Sequence, residues 1–307
     1  MTTTRQLHHG DCLDVLRQRI PDACVDLVYL DPPFNTGVER RLRDRGFADV
    51  WRWDATVEGE LAELAEPTAA PGVAGLVRLV RDELGDDALA AYLVGLGRRL
   101  VEVRRVLKPA GSVYLHCDPT ASHYLKVLLD TVLGKEKFQR EIVWRVGWVS
   151  GFKSRARNWV RNHDVLLYYA GPGFTFNKEY LAYPPGYRRR DGAIPSGPGV
   201  PLEDTWNCHP ADELNSIMIM SFSREKLGYP TQKPRALLER IIRASSNPGD
   251  VVLDPYCGSG TTPAAAEALG RGWIGVDANP AALELTERRL REEFPELEFD
   301  LECGKRT

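Results

Sequence analysis

Short apolar runs alternate with longer amphipathic stretches along most of the chain. Val25–Leu30 and Val251–Asp254 are brief, rich in β-branched or aromatic residues and followed by proline, which is typical of buried parallel strands. Helical spacing of apolar residues predicts helices near 89–106, 121–133, 237–242, 264–269 and 281–294. Strands and helices in alternation indicate an α/β protein with a doubly wound, mostly parallel sheet.

Further apolar runs predict the rest of the sheet, at 112–117, 141–146, 164–169, 273–277 and 297–301. The second and third of these runs are adjacent along the chain and predict a terminal antiparallel hairpin.

Three stretches lack this regular pattern. Residues 171–223 are rich in Gly and Pro and predict an irregular insert. Residues 58–75 are acidic and rich in Ala, Pro and Gly, so we expect an exposed insertion there. Residues 35–53 form a polar, Arg-rich connection, either a mobile lid or a solvated loop.

Composition narrows the class of protein without identifying a chemistry. The 307 residues are 43% apolar and 27% charged, as in ordinary globular proteins, and the net charge of −3 gives no overall case for nucleic acid. The six cysteines are scattered without C-x-x-C spacing, which favours reduced thiols over a zinc site or a disulfide framework. With neither a signal peptide nor a membrane-length apolar run, the sequence predicts a cytoplasmic protein.

The first chemical signal is the tetrapeptide 31–34, with the sequence Asp-Pro-Pro-Phe, directly after the strand Val25–Leu30. The carboxyl ends of parallel strands face the ligand crevice, so Asp31 is expected to point into it. A carboxylate and carbonyl acceptors beside an aromatic ring suit a flat substrate that carries an amino group. The alternative is a simple turn whose aspartate caps a helix.

The second signal is the glycine turn (254–260), which separates the strand Val251–Asp254 from a predicted helix. Asp277 lies 17 residues beyond Gly260 and ends the next strand, as expected of a ribose-binding acid in a βαβ unit. The dinucleotide fingerprint is incomplete because Pro263 follows where a third glycine is expected. Asp254 disfavours a pyrophosphate and favours a cationic ligand such as S-adenosylmethionine; a packing turn without a ligand is the alternative.

In combination these motifs resemble the β class of S-adenosylmethionine-dependent DNA amino-methyltransferases, which modify adenine N6 or cytosine N4. The family's (D/N/S)-P-P-(Y/F) motif matches the tetrapeptide 31–34, and its cofactor motif matches the glycine turn (254–260). The Pro-Thr-Gln-Lys-Pro segment of the family is present at 230–234, and its central region matches 116–118 and 122–124. The catalytic motif precedes the cofactor motif, which is the permuted order of the β class.

The resemblance implies a Rossmann-like methyltransferase domain in two parts with an insert between them. Residues 1–170 are then the catalytic part, 171–225 a target-recognition insert, and 226–307 the cofactor-binding part of the same domain. Double-stranded DNA is the implied partner. A cognate restriction endonuclease and a homodimer fit the family, and the sequence decides neither.

The resemblance also assigns residues to roles. Asp31, Pro32, Pro33 and Phe34 are the implied catalytic residues, which polarise the amino group and stack on a flipped base. The implied cofactor-binding residues are Asp11, Cys12, Thr231, Lys233, Asp254, Pro255, Tyr256, Cys257, Gly258, Ser259, Gly260, Thr261 and Asp277. For Asp11 and Lys233 a helix cap and a surface salt bridge remain alternatives.

Alternatives remain for the target base and for the class of reaction. Asp31, where cytosine-N4 enzymes of the family more often have Ser, favours adenine N6, with cytosine N4 as the alternative. A cytosine-C5 enzyme is disfavoured because the chain has no Pro-Cys dipeptide. A catalytically inactive DNA-binding homologue and an NAD-dependent oxidoreductase are more distant alternatives.

DNA contact requires local positive charge. Residues 135–190 carry twelve Lys or Arg against four acids, a local net charge of +8, with tryptophans interleaved. The alternative is a solvated face with a few core tryptophans. The candidate DNA-binding residues are Arg145, Lys153, Arg155, Arg157, Arg161, Arg188, Arg189 and Arg190.

Overall fold

A nine-stranded sheet with helices on both faces forms the centre of the protein, as seen in a computed structural model. The structure describes residues 3–34, 38–42, 45–147, 155, 157–216 and 223–303, with the backbone alone for 38–42, 45–49 and 303. The helices are α1 (Cys12–Arg19), α2 (Ala55–Ala65), α3 (Pro71–Leu84), α4 (Asp87–Val106), α5 (Ser122–Leu129), α6 (Arg235–Ser245), α7 (Thr261–Ala268) and α8 (Pro280–Glu293). The strands are β1 (Arg5–His9), β2 (Val25–Leu30), β3 (Val38–Leu42), β4 (Arg45–Asp49), β5 (Leu107–Cys117), β6 (Phe138–Arg145), β7 (His163–Ala170), β8 (Tyr180–Leu181), β9 (Val200–Pro201), β10 (Thr205–Trp206), β11 (Val251–Asp254), β12 (Gly272–Asp277) and β13 (Asp300–Cys303).

The strand order in the large sheet is β10-β6-β7-β5-β2-β11-β12-β1-β13. Strand β7 is antiparallel to both of its neighbours, and every other pair in this sheet is parallel. The predicted mostly parallel sheet and its β6–β7 hairpin are therefore confirmed. The short strand β10 lies outside the hairpin, so the hairpin is next to the sheet edge.

Each face of the sheet has its own apolar core. Val28 and Leu30 of β2 pack into the core on the side of α1–α5, whereas Leu27 and Tyr29 pack into the core formed with α6–α8. Because successive side chains of a strand point to opposite faces, a strand covered on both sides is apolar on both faces over its buried length. This explains why the run 25–30 has no alternating polar pattern and a single polar residue, Asp26, near its start.

The expectation of an exposed insertion at 58–75 is wrong. Most of this stretch is helical, in α2 and the first turns of α3, and its side chains Leu61, Leu64, Val73 and Ala74 are buried. These helices pack against α4, where Gly97 leaves the space that Val73 occupies: a Cβ there would lie 2.7 Å from the Val73 side chain. The acidic residues that suggested a loop belong to the exposed faces of amphipathic helices.

Strand limits differ from the predictions near the termini and in the 35–53 connection. Strand β1 was not predicted, although it pairs with both β12 and β13, and the final strand begins at Asp300, not at 297. The connection contains the antiparallel pair β3–β4, while 35–37 and 43–44 lie outside the described residues. Within the described part of the chain, no helix is long and apolar enough to cross a bilayer.

Candidate active site

A cavity of about 730 Å³ opens at the carboxyl ends of three neighbouring strands, β2, β11 and β12. Asp31 follows β2, while Asp254 and Asp277 are the last residues of β11 and β12, and all three line the cavity. The chain leaves β2 and β11 toward opposite sides of the sheet, and such a switch in strand order leaves a crevice where α/β proteins bind ligands. Sheet topology thus brings the two sequence motifs into one cavity.

The tetrapeptide 31–34 lines this cavity with all four of its residues. The Asp31 carboxylate accepts a hydrogen bond from the Lys233 ammonium, with 2.5 Å between Oδ2 and Nζ, and both side chains are largely buried. The Phe34 ring has Lys233 Nζ 5.2 Å from its centroid and the His116 ring 5.8 Å away. An acceptor and an aromatic face are therefore presented side by side.

Behind Phe34, a buried polar chain connects three strands of the sheet. The Tyr29 hydroxyl lies 2.8 Å from His116 Nδ1, and His116 Nε2 lies 3.3 Å from Asp164. Burial, with nearby carboxylates, raises the pKa of Tyr29 well above its usual value. Burial alone acts to raise the pKa of Asp164, but His116, Lys233 and Arg161 together lower it. Asp164 is therefore held ionised near the tetrapeptide 31–34.

The glycine turn (254–260) surrounds a fully buried carboxylate. Asp254 accepts hydrogen bonds from the Thr262 hydroxyl at 2.5 Å and from the Tyr256 amide at 3.0 Å. Burial, together with the charges of Asp31 and Asp277, raises the pKa of Asp254 to about 7 against these two hydrogen bonds. Such a carboxyl is poised to ionise when a cation arrives.

The Asp277 carboxylate is hydrogen-bonded to the glycine turn (254–260) and to the segment that follows β12. It accepts hydrogen bonds from the Gly258 amide at 2.9 Å and from the Asn279 amide at 2.8 Å. Burial raises the pKa of Asp277 against these two bonds. Each carboxylate oxygen keeps a second lone pair, so the group can still accept hydrogen bonds from ligand hydroxyls.

Two glycines of the turn have backbone angles that strain any residue with a side chain. Gly260 has φ +74°, and a Cβ there would lie 2.6 Å from the Thr286 side chain of α8. Gly258 also has a positive φ, +52°. Only glycine adopts such angles without strain, so both positions follow from the close approach of the turn to its neighbours.

The charges that line the cavity are unbalanced. The described lining includes four aspartates against one arginine and one lysine. Arg99 is paired with Asp11 at 2.6 Å, and Lys233 with Asp31. Asp254 and Asp277 form no salt bridge with any described residue. The cavity therefore suits a cationic ligand better than a phosphate.

Nearly all predicted cofactor-binding residues line the cavity; Gly260 is the exception, since it turns toward α8. Asp11 also caps α1, accepting a hydrogen bond from the Leu13 amide at 2.8 Å, so its alternative role as a cap is also observed. Sequence reasoning missed one wall, made by Tyr92, Leu96 and Arg99 of α4 with Trp51 against it. Positions 92, 96 and 99 recur at helical spacing on one face of α4, which was the available signal.

The candidate DNA-binding arginines are all exposed where the structure describes them, and Lys153 lies outside the described residues. Arg161 is special, because it forms ion pairs with Asp118 at 3.0 Å and Asp164 at 2.7 Å. The tryptophans of this stretch differ: Trp159 is 97% exposed, whereas Trp144 is a core residue whose indole N–H donates to the Leu214 carbonyl.

Comparison with known proteins finds a family match over most of the chain. The model of a DNA methylase family, N6_N4_Mtase, matches residues 25–288. Type II methyltransferase M.HpaI from Haemophilus parainfluenzae is 34% identical over 282 residues, which cover 90% of this chain and 71% of that protein. M.BamHI from Bacillus amyloliquefaciens is 29% identical, and the matched region covers 94% of this chain and 58% of that protein. DNA adenine methyltransferase YhdJ from Escherichia coli K12 is 27% identical, with 92% and 81% covered.

Solved structures agree on the fold. TTHA0409 from Thermus thermophilus, solved with S-adenosyl-L-methionine, gives a TM-score of 0.56 at 20% identity over 99% of this chain and all of that one. The cytosine-N4-specific PvuII DNA methyltransferase gives 0.50 at 17% identity, covering 96% of this chain and 93% of that one. At these identities the likeness concerns the fold, and the predicted Rossmann-like architecture is confirmed.

Proposed function

This chain belongs to the N6/N4 DNA methylase family, and on that premise we propose that it methylates adenine N6 in double-stranded DNA, with S-adenosylmethionine as methyl donor. The proposal rests on one observation above the others. A single cavity holds the acceptor-and-aromatic tetrapeptide 31–34 and a glycine turn with two carboxylates that lack a cationic partner among the described residues. One end suits a flat base with an amino group, and the other suits a cationic cofactor.

The residues around the glycine turn fit S-adenosylmethionine by their chemistry. Asp254 and Asp277 match the positive charges of its sulfonium and amino groups, and Asp277 has free lone pairs for the ribose hydroxyls. Thr231 and Tyr256 also line the cavity. When bound, the cofactor supplies an electrophilic methyl group on its sulfonium sulfur.

The tetrapeptide 31–34 supplies what the amino group lacks. An exocyclic amino nitrogen is a weak nucleophile because its lone pair is delocalised into the ring. The Asp31 carboxylate and the Pro32 carbonyl can accept its two N–H bonds, which localises the lone pair as the N–C bond forms and stabilises the charge that develops on nitrogen. The surplus proton then leaves the nitrogen by way of the Asp31 carboxylate.

The base must leave the duplex to reach this cavity, because its amino group is inside the helix in B-DNA. The Phe34 ring then offers a stacking surface worth about 1–3 kcal/mol per base. The exposed arginines between Arg145 and Arg190 are our candidates for phosphate contacts around the flipped nucleotide. We propose that target recognition lies in 171–225, whose described part contains the three two-residue strands β8, β9 and β10.

Adenine is favoured by the aspartate at position 31 and by the adenine-specific relative YhdJ. Cytosine N4 remains the second candidate, since PvuII DNA methyltransferase has the same fold and a cytosine-N4 specificity. The same acceptor pair serves either amino group, so the mechanism does not choose between them.

Modification-sensitive sequencing tests the proposal. DNA from a methylation-deficient host that expresses this protein is compared with DNA from the same host expressing Asp31→Ala. We expect N6-methyladenine in one short sequence context with the wild type and none with the variant. N4-methylcytosine would overturn the choice of base, and no modified base from soluble wild-type protein would overturn the proposal itself.

A further inference from the structure

Lys233 is placed differently from what its motif suggested. The sequence assigns it to the cofactor, yet its ammonium lies 2.5 Å from Asp31 Oδ2 and 5.2 Å from the centre of the Phe34 ring. Both side chains of the pair are more than four-fifths buried, at 12% and 14% exposure. Among the described residues, the Lys233 ammonium is the donor to this carboxylate, and the second oxygen of Asp31 has none.

Hydrogen bonds at the neighbouring Gln232 and at the Lys233 carbonyl fix the backbone around Lys233. The buried Gln232 side chain accepts from the Leu227 amide at 2.9 Å and donates to the Glu225 carbonyl at 2.7 Å. The Lys233 carbonyl accepts from the Thr261 hydroxyl at 3.3 Å, in the first turn of α7. The lysine is thus anchored on the cofactor side of the cavity while its ammonium reaches the catalytic side.

Asp31 shares its cavity with other carboxyl groups. Asp254 and Asp277 line the same cavity, and the charge of Asp31 contributes to the raised pKa of Asp254. Asp164 is close enough to Lys233 for the lysine charge to lower its pKa. Carboxylates that share a site cannot all ionise freely. Lys233 is the cation in direct contact with Asp31, and Arg99, the other cation of the described lining, is paired with Asp11.

We propose that Lys233 is a positioning residue that keeps Asp31 ionised and oriented, with Oδ2 on the ammonium and Oδ1 left for the target amino group. The inference rests on the proposed function and deepens it. An ionised acceptor serves the reaction best, because a carboxylate stabilises positive charge on the amino nitrogen better than a protonated carboxyl group does. Lys233 also links the two halves of the site, since its own carbonyl contacts α7 beside the glycine turn (254–260).

Three variants test this role. Lys233→Met removes the charge and keeps most of the volume, and Lys233→Arg keeps the charge. Lys108→Met is the matched control, because Lys108 forms a lysine–aspartate pair with Asp26 at 2.8 Å away from the main cavity. Single-turnover methylation rates at saturating cofactor and DNA are measured from about pH 5.5 to 9.5, and cofactor affinity is measured by calorimetry.

We expect Lys233→Met to slow methyl transfer at least about tenfold at pH 7, with a rate that rises with pH over a range where the wild-type rate is flat. The rate should recover toward the wild type at pH 9, and cofactor affinity should stay within about threefold. Lys233→Arg should restore the wild-type profile, and Lys108→Met should match the wild type throughout. If Lys233 had only a packing role, its replacement would not change the pH dependence of the methylation rate.

Other outcomes overturn the proposal. A wild-type rate and profile for Lys233→Met shows that Asp31 needs no partner. Weaker cofactor binding by Lys233→Met with an unchanged rate at saturation would show that Lys233 is a cofactor ligand. Tighter DNA binding with a faster rate would show that the lysine side chain occupies the site of the target base. If the wild type methylates no DNA, the proposed function fails, and crystal structures of the same variants still decide: a reoriented Asp31 carboxylate in Lys233→Met alone supports the positioning role, and an unchanged one overturns it.

Discussion

Asp31 and Asp254 occupy equivalent places in the fold and experience opposite environments. Each follows or ends one of two adjacent parallel strands, each precedes a proline, and both face one cavity. Asp31 is in direct contact with the Lys233 ammonium, whereas Asp254 is fully buried with a hydroxyl and an amide as its donors. Burial accordingly raises the pKa of Asp254 to about 7.

The difference indicates a division of labour between two chemically identical side chains. A carboxylate with a built-in counter-ion is ready to accept hydrogen bonds from a neutral amino group. A buried carboxylate without a cationic partner in the protein can be stabilised in its ionised form by a cationic ligand. Paired groups with environments this different are a recurring way to assign separate tasks in one site.

The largest effect is expected from Asp31→Asn, which removes the charge at the catalytic end. The amide is nearly isosteric but, being neutral, stabilises positive charge on the amino nitrogen less well, so methyl transfer should fall about 10²–10³-fold. Cofactor affinity should remain within about threefold, because the variant leaves Asp277 and the glycine turn (254–260) unchanged. Single-turnover rates and calorimetry measure the two quantities; near-normal turnover would falsify the assigned role of Asp31.

Asp254→Asn should act at the cofactor end and more moderately. The amide can still accept the bond from Thr262, but it lacks the charge that favours a sulfonium. We expect S-adenosylmethionine to bind about 10–100-fold more weakly, with a smaller loss for S-adenosylhomocysteine, whose sulfur is neutral. Titration calorimetry with both ligands provides the comparison. Equal weakening of the two would show that Asp254 does not sense the sulfonium charge.

The pH dependence of cofactor binding follows from the same carboxyl. With a pKa of about 7 in the folded, ligand-free protein, Asp254 is increasingly protonated below neutrality. A cation binds the ionised form better, so affinity should be constant at high pH and fall as the pH drops below 7, by up to about tenfold per unit. Asp254→Asn should flatten this dependence between about pH 5.5 and 8. A wild-type affinity that does not change over this range contradicts the assignment.

The smallest effect concerns a similar contrast on the surface, between Arg157 and Arg161. Both are exposed, but two carboxylates already neutralise Arg161. Arg157→Ala should reduce the slope of log K for DNA against log salt concentration by about one, and Arg161→Ala by clearly less. Fluorescence anisotropy with a labelled duplex at several salt concentrations measures both slopes. Equal slopes for the two variants would mean that Arg161 reaches DNA despite its partners.

Local signals were sufficient for the main elements and for both ends of the site. The strand before Asp31, the glycine turn (254–260) and the acid at 277 are short contiguous patterns whose spacing reflects backbone geometry. Parallel strands place their carboxyl ends at one edge, so a shared crevice could be expected from the order of elements alone. The prediction of an exposed insertion at 58–75 was wrong because residues on exposed helix faces dominate the composition of that stretch.

Tertiary structure alone decided which charges meet. Lys233 and Asp31 are 202 residues apart, and Arg99 reaches Asp11 across 88 residues, so no local pattern records either pair. Burial is likewise a property of the assembled cavity. It gives Asp254 and Asp31 different electrostatic environments, although both lie at strand ends next to a proline. The sequence by itself indicated most of the residues at the two ends of the crevice and the class of chemistry that they suit, but not the wall formed by α4. Packing determined which carboxylate has a counter-ion, because electrostatic environment depends on neighbours in space and not along the chain.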